Sequence, residues 1–243
     1  MTEAEVFDKI VQERRAIRKY DETKAIPSEV VERSLKRAVL SPSSSNMQLY
    51  EFYRIRKKED LQRLSKYCMG QGAATTASEM VIAVVRTDKY RERARHNHTH
   101  LAEIWKGKND KRFRRVDNYY RRLMPLYYFT DPFGLVGLLK KIFIFFVGLR
   151  RPVVREVGKT DIRVSGHKSL ALAVQTFMLS IQAEGYGSCP MEGIDSKRIK
   201  KWLKLPGRAQ INMVISVGSP KMPEAIYNER LRVPYEEVVF EKK

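Results

Sequence analysis

Cysteine is nearly absent. Cys68 and Cys189 are the two among 243 residues, so no disulfide framework holds the fold and a reducing, cytoplasmic setting is expected. Acidic residues are also scarce, 28 against 47 Lys and Arg. The formal net charge of +19 draws anions without choosing among phosphates, nucleic acid and acidic lipid. The opening MTEAEVFDKI lacks the basic-then-apolar pattern of a secretory signal. The longest apolar stretch, 133–149, is split by Lys140 and Lys141 and falls short of the roughly 20 residues that a membrane span needs, which argues against an integral membrane protein. There is no internal repeat. What the chain does have is 43% hydrophobic and 10% aromatic residues, enough for a substantial core, and a length that suits one large domain or two small ones.

Two arginine clusters stand at opposite ends of the chain: Arg14, Arg15 and Arg18 in ERRAIRKY, then Arg230 and Arg232 in NERLRVP. Brought together, they would clamp a phosphate, because guanidinium forks pair with its oxygens in a bidentate way. Val6, Ile10 and Val11 predict a helix over 3–15, and Val30, Val31, Leu35 and Ala38 predict another up to Leu40, with Ser28 as its N-cap. SPSSSNMQ (41–48) then reads as a small-residue loop that lets backbone approach a ligand. YEFYRIR (50–56) and MVIAVV (80–85) predict strands on either side of a helix over 59–67. Residues 89–163 change in character, from basic and histidine-bearing to aromatic to FGLVGLLKKIFIFFVGLRRP, and read as an excursion from the main fold. A long helix is expected over 167–184, ended by Gly185 and Gly187, followed by a loop at GSCPMEG, a short helix over 196–205, a strand over 211–218 and a final extended segment at RVPYEEVVF.

Four of these patterns, in this order, resemble the FMN-dependent nitroreductase family: RR-x-x-R with Tyr20 behind it, SPSSSNMQ, GSCPMEGID at 187–195 and RLRVP at 230–234. The resemblance covers roughly 3–85 and 165–243 and leaves the excursion unexplained. It implies an α+β sandwich in which helices flank a mostly antiparallel sheet, within a single domain over 1–243. It also implies a homodimer with FMN at the subunit interface, the C-terminal strand RVPYEEVVF crossing to the partner, and NADH or NADPH as electron donor. Arg14, Arg15, Arg230 and Arg232 would hold the FMN phosphate and ribityl chain. Arg18 would lie nearer the ring, where a cation stabilises the negative charge that reduction places around N1 and C2. Pro42, Ser43, Ser44 and Asn46 would lie along the flavin, with Gln71 a further contact. Pro190, Met191, Glu192 and Gly193 would bring a backbone N–H to flavin N5, Gly193 allowing close approach. The pattern is departed from at Ala16, where many members carry a hydroxyl near the phosphate, and around 70–73, where no lysine occurs.

Other readings compete with these. His96, His98 and His100 invite a metal reading, since His96 and His100 with Glu103 would share one helix face at ligand spacing, but no cysteine or carboxylate constellation completes a site and the flavin chemistry needs no metal. Cys189 reads as a buried, inert residue rather than a redox nucleophile. The cations of 106–115 with Tyr119 and Tyr120 read as a solvated helical face rather than a nucleic-acid contact. For 133–149 three roles stay open: a cover over the active site, a dimer-packing helix, or a helix lying on an anionic membrane surface. The expected function is a ping-pong transfer of electrons from NAD(P)H through FMN to an electron-poor small molecule, a nitroaromatic, quinone or similar. The alternative is a non-catalytic basic protein that binds nucleic acid or anionic membrane through the excursion.

Overall fold

The computed structural model describes residues 1–108 and 110–242. Helix α1 (Glu3–Glu13) starts in a capping box, in which Thr2 Oγ1 accepts from the Glu5 amide and the Glu5 carboxylate accepts from the Thr2 amide. Helix α2 (Ser28–Ala38) follows, then strand β1 (Tyr50–Ile55), helix α3 (Lys58–Tyr67), the single turn α4 (Gly72–Thr75) and strand β2 (Glu79–Val85). The excursion is helical: α5 (Tyr90–Trp105), α6 (Asp110–Asp117), a π-helical turn (Asn118–Leu123), α7 (Met124–Tyr128) and α8 (Leu135–Gly148). The long helix α9 (Lys159–Ala183), strand β3 (Gly187–Met191), helix α10 (Ser196–Trp202) and strand β4 (Gln210–Gly218) complete the order.

The strands form one sheet in the order β1-β2-β4-β3, antiparallel throughout, so the architecture is α+β. β2 sits at the centre and is buried along its whole length, which is why its sequence is an apolar run rather than an alternation. Its side chains still divide by parity. Met80, Ile82 and Val84 pack on one face with Leu64 of α3 and Ile199 of α10; Val81, Ala83 and Val85 pack on the other with Leu170, Val174 and Phe177 of α9. A third cluster joins Met47 and Leu49 to Tyr90, Tyr120, Met124 and Tyr128, so the excursion is anchored to the sheet by its own core.

Four sequence expectations shift. GSCPMEG is a strand through Met191, not a loop; β3 lies at the sheet edge, where Pro190 needs no ladder donor. α9 begins at Lys159, eight residues before the expected start, because Gly158 and Asp161 cap it there, the Gly158 amide donating to Asp161 Oδ2 at 2.9 Å. Ser28 is the first helical residue rather than the cap, and its hydroxyl and carbonyl accept from Arg54 Nη2 at 3.2 and 3.0 Å. RVPYEEVVF forms no strand within the chain; it is exposed, with one 3₁₀ turn at Tyr235–Glu237, since no edge of its own sheet meets it.

α2 and α9 are tied by charge as well as by packing. Glu184, capping the C-terminal end of α9, accepts from Arg33 at 2.7 Å and Arg37 at 2.6 Å, and Arg37 also donates to Ser180 Oγ at 2.8 Å. These hydrogen bonds hold the Glu184 pKa down to about 2. Its folded value is thus below its unfolded one, so the stability it contributes is present above the ordinary glutamate range and is lost as pH falls toward 2. In urea unfolding followed between pH 6 and pH 2.5, Glu184→Gln should be less stable than wild type at the upper end, and the two should converge as the pH falls.

Candidate functional site

The segment after α1 runs beside the sheet. Ala16 bridges Ser188 of β3 in parallel, the Ile17 amide donates to Ser188 O at 3.1 Å, and Tyr20 bridges Pro220, with its buried hydroxyl donating to Ser216 O at 3.0 Å. That pairing places Arg14, Arg15 and Arg18 in a row along the β3 edge. The chain leaving β4 returns to the same place: the Arg18 amide donates to Ala225 O at 2.8 Å, and Arg230 Nη2 donates to Gln12 O at 2.6 Å and Arg14 O at 2.7 Å. Arg15 donates to Asn228 O.

The two arginine clusters, 212 or more residues apart in sequence, therefore share one pocket of about 260 Å³ lined by Arg14, Arg15, Ala16, Arg18, Arg230 and Arg232. Among the described residues no carboxylate forms an ion pair with any of these five guanidiniums, although Glu229 borders the pocket. Burial, then the cations Arg230, Arg232 and Arg15, lower the pKa of Arg14. Gathering unneutralised cations raises their free energy, and a bound anion relieves it.

Two further segments join. Gly72 lies against the Arg18 carbonyl, where a Cβ would be 2.9 Å from the oxygen, and Gln71 Nε2 donates to Gly193 O at 3.1 Å. The 70–72 turn thus connects the arginine row to the end of β3. Met191 points into the core and leaves only its backbone available, Pro190 is half-buried, and Glu192 and Gly193 are exposed beyond the strand. The pocket also includes Tyr227 and Asn228, which the sequence reading missed; the only signal for them is their position just ahead of Arg230.

Pro42, Ser43, Ser44 and Asn46 lie elsewhere. Their loop enters β1, the sheet edge opposite β3, three strand spacings or roughly 14 Å across the sheet. The loop is strained: Ser45, Asn46 and Gln48 have φ of +53°, +51° and +47°. The excursion braces it, with Asn97 Nδ2 donating to Asn46 O at 2.7 Å, the Tyr120 hydroxyl to Ser45 O at 3.1 Å, and Ser45 Oγ meeting the Tyr119 hydroxyl at 2.7 Å. On α9, Ser169 Oγ accepts from the Ser44 amide at 3.1 Å. His98 is paired to Asp117 at 3.0 Å, and no three His, Cys, Asp or Glu among the described residues are grouped to hold a metal ion.

Gly187 is the point where this alignment is most sensitive. A Cβ there would stand 2.4 Å from Ile17 Cγ1, which is locked in the core. Gly187→Ala should therefore cost about 1–3 kcal/mol in chemical unfolding through overpacking. It should also move the Arg14–Arg18 row, visible as amide shifts at Ala16 to Arg18 in NMR spectra; unchanged shifts would show that the row does not depend on this close approach.

Comparison with known proteins bears on the family and the fold. The model of the nitroreductase family matches residues 11–219. Protein DrgA of Synechocystis is 26% identical over 215 residues, covering 88% of this chain and 83% of that protein. The Bacillus subtilis protein ydfN, provisionally described as a nitroreductase, superimposes with a TM-score of 0.76 at 20% identity, over 99% of this chain and all of that one. A Staphylococcus epidermidis protein, provisionally described as an NAD(P)H:FMN oxidoreductase, gives 0.72 at 19% identity, over 97% of this chain and 95% of that one. With the motifs, the antiparallel sheet and the family match in agreement over most of its length, the chain belongs to the nitroreductase family.

Proposed function

We propose that the chain is an FMN-dependent oxidoreductase carrying electrons from NADH or NADPH to a small electron-poor acceptor. It works as a homodimer of one nitroreductase-like domain with the 89–163 excursion set into it. The observation that most supports this is the pocket of five arginines without a paired carboxylate, whose donor set suits a phosphate dianion. When bound, FMN supplies hydride acceptance at N5 and delivery to a nitroaromatic, quinone or similar molecule in two half-reactions of a ping-pong cycle.

The protein's part is holding, charge and shape. Arg14, Arg15, Arg230 and Arg232 hold the phosphate and ribityl chain, and Ala16 adds backbone where a hydroxyl would otherwise contribute. Arg18, one turn of extended chain further on, offers a fixed cation where negative charge develops. The backbone of Glu192 and Gly193 faces the reacting edge; a Cβ on Gly193 would have only Gln71 Nε2 near it, at 3.5 Å, so the approach is open. Pro190 and Met191 fix the strand end that presents it. No side-chain nucleophile is needed, and burial pushes the Cys189 thiol pKa up and keeps it inert. Both cysteines are buried and free, in keeping with a reducing cytoplasmic setting.

Pro42, Ser43, Ser44 and Asn46 reach the flavin from the second copy. Their place at the opposite sheet edge supports a shared site, as does the exposed 233–240 tail that finds no strand partner in its own chain.

Arg232 separates binding from folding, since among the described residues its only hydrogen bond is to the adjacent Leu231 carbonyl, whereas Arg230 also ties the tail to the end of α1. Arg232→Glu should weaken FMN binding about 10- to 100-fold, as loss of a charge-assisted contact does, with an unchanged unfolding curve. Flavin fluorescence quenching measures the first, and anaerobic bleaching by NADH and NADPH followed by reoxidation with nitroarene and quinone tests the activity. Purified protein that neither carries nor takes up FMN would refute the reading.

A further inference from the structure

Helix α8 presents an apolar face that its own chain does not cover. Leu135, Leu138, Leu139, Ile142, Phe143, Phe145, Phe146 and Leu149 are all exposed, and Phe133 just ahead of the helix is 88% exposed. At 100° per residue these eight side chains fill one continuous arc of about 160°. Lys140 and Lys141 lie on the other side. Lys140 Nζ donates to Phe129 O at 2.7 Å and Tyr127 O at 3.0 Å, and Lys141 rests beside Gly158. Gly137, also inward, brings the helix to 3.6 Å contact with the Gly158 Cα. The helix is thus fastened to the body with its apolar arc turned outward. Exposure of this extent marks a contact surface rather than ordinary scatter.

Charge indicates what the surface meets. Nineteen Lys and Arg against 7 Asp and Glu fall within 89–163, so the excursion holds most of the chain's excess positive charge. Arg150 and Arg151 follow α8 directly and are exposed. At its other end, a cavity of about 390 Å³ reaches Pro132 and is lined by Lys159, Arg163 and Arg208 with the hydroxyls of Thr130 and Thr160, and no acid. Arg208 is aimed by its bond to Thr130 O at 2.8 Å. Among the described residues none of these three cations has a carboxylate partner. An apolar arc whose helix has unneutralised cations near both ends is complementary to the headgroup and upper acyl layers of an anionic bilayer. Spanning is excluded for the described helices, none of which is long and apolar enough to cross a membrane.

We propose that the protein docks peripherally on anionic lipid bilayers through α8, with the apolar arc immersed and a lipid phosphate received by Lys159, Arg163 and Arg208. None of these residues belongs to the flavin pocket, so the two readings fail independently.

The test is co-sedimentation of the full-length protein with vesicles of phosphatidylcholine, alone or with about one-third phosphatidylglycerol, at low and moderate salt. Binding should require the anionic lipid and weaken with salt. Leu139→Glu/Phe146→Glu and Lys159→Glu/Arg163→Glu should each reduce partitioning at least about tenfold, with circular dichroism and FMN uptake unchanged. No sedimentation with anionic vesicles at low salt, or undiminished binding by either double variant, would overturn the proposal. So would a change of oligomeric state caused by Leu139→Glu/Phe146→Glu in lipid-free ultracentrifugation, which would make α8 a contact between copies.

Discussion

The pairing of residues 16–20 with the free edge of β3 is the constraint on which the site depends. Guanidiniums repel one another, and five of them in one pocket would separate if only side chains determined their positions. Here the backbone overrides the repulsion. The Ile17 amide bonds to Ser188, the Arg18 amide to Ala225, and the buried Tyr20 hydroxyl to Ser216, so three different strand-linked segments fix the arginine row. Arg230 then uses its guanidinium to tie the tail to the carbonyls at the end of α1, where the negative end of the helix dipole favours a cation. The cost of assembling like charges is met by sheet and core, and the surplus positive potential remains for an anion.

That division explains which features were legible in the sequence. Residue type and spacing carry the sheet: the apolar run at 80–85 is the central strand β2, buried along its whole length, and the mixed stretch at 50–55 is the edge strand β1, buried only at its two ends. The arginines were legible as chemistry, and their convergence depended on topology that no local window contains. GSCPMEG misled because Gly, Pro and Ser ordinarily signal turns; on an edge strand Pro190 is tolerated, and Gly187 is required by the close approach of Ile17. Ser28 misled for a related reason. A hydroxyl at a helix start suggests a cap, but Arg54 occupies it from across the sheet.

The loop at 41–48 shows how the excursion and the core depend on each other. Three non-glycine residues with positive φ cost on the order of 1 kcal/mol or more each, and such a loop persists only where its surroundings over-determine it. The restraints come from Asn97 on α5 and from Tyr119 and Tyr120 on the π-helical turn. Residues that composition set apart as an excursion are therefore what holds the serine loop in shape, and they do so at the sheet edge away from the arginines.

The same excursion shows why hydropathy along a sequence and hydropathy on a surface differ. Lys140 and Lys141 interrupt the apolar stretch when it is read as a line, which argues against insertion. Wound into α8, they fall outside the apolar arc, and Lys140 turns inward, where it satisfies the terminal carbonyls of α7 and its burial lowers its pKa. The charge that breaks the run thus anchors the helix and leaves the outward arc unbroken. A helix of 14 residues is about 21 Å long. Lying flat and fastened on one side, it can bury its arc only in something that approaches from outside.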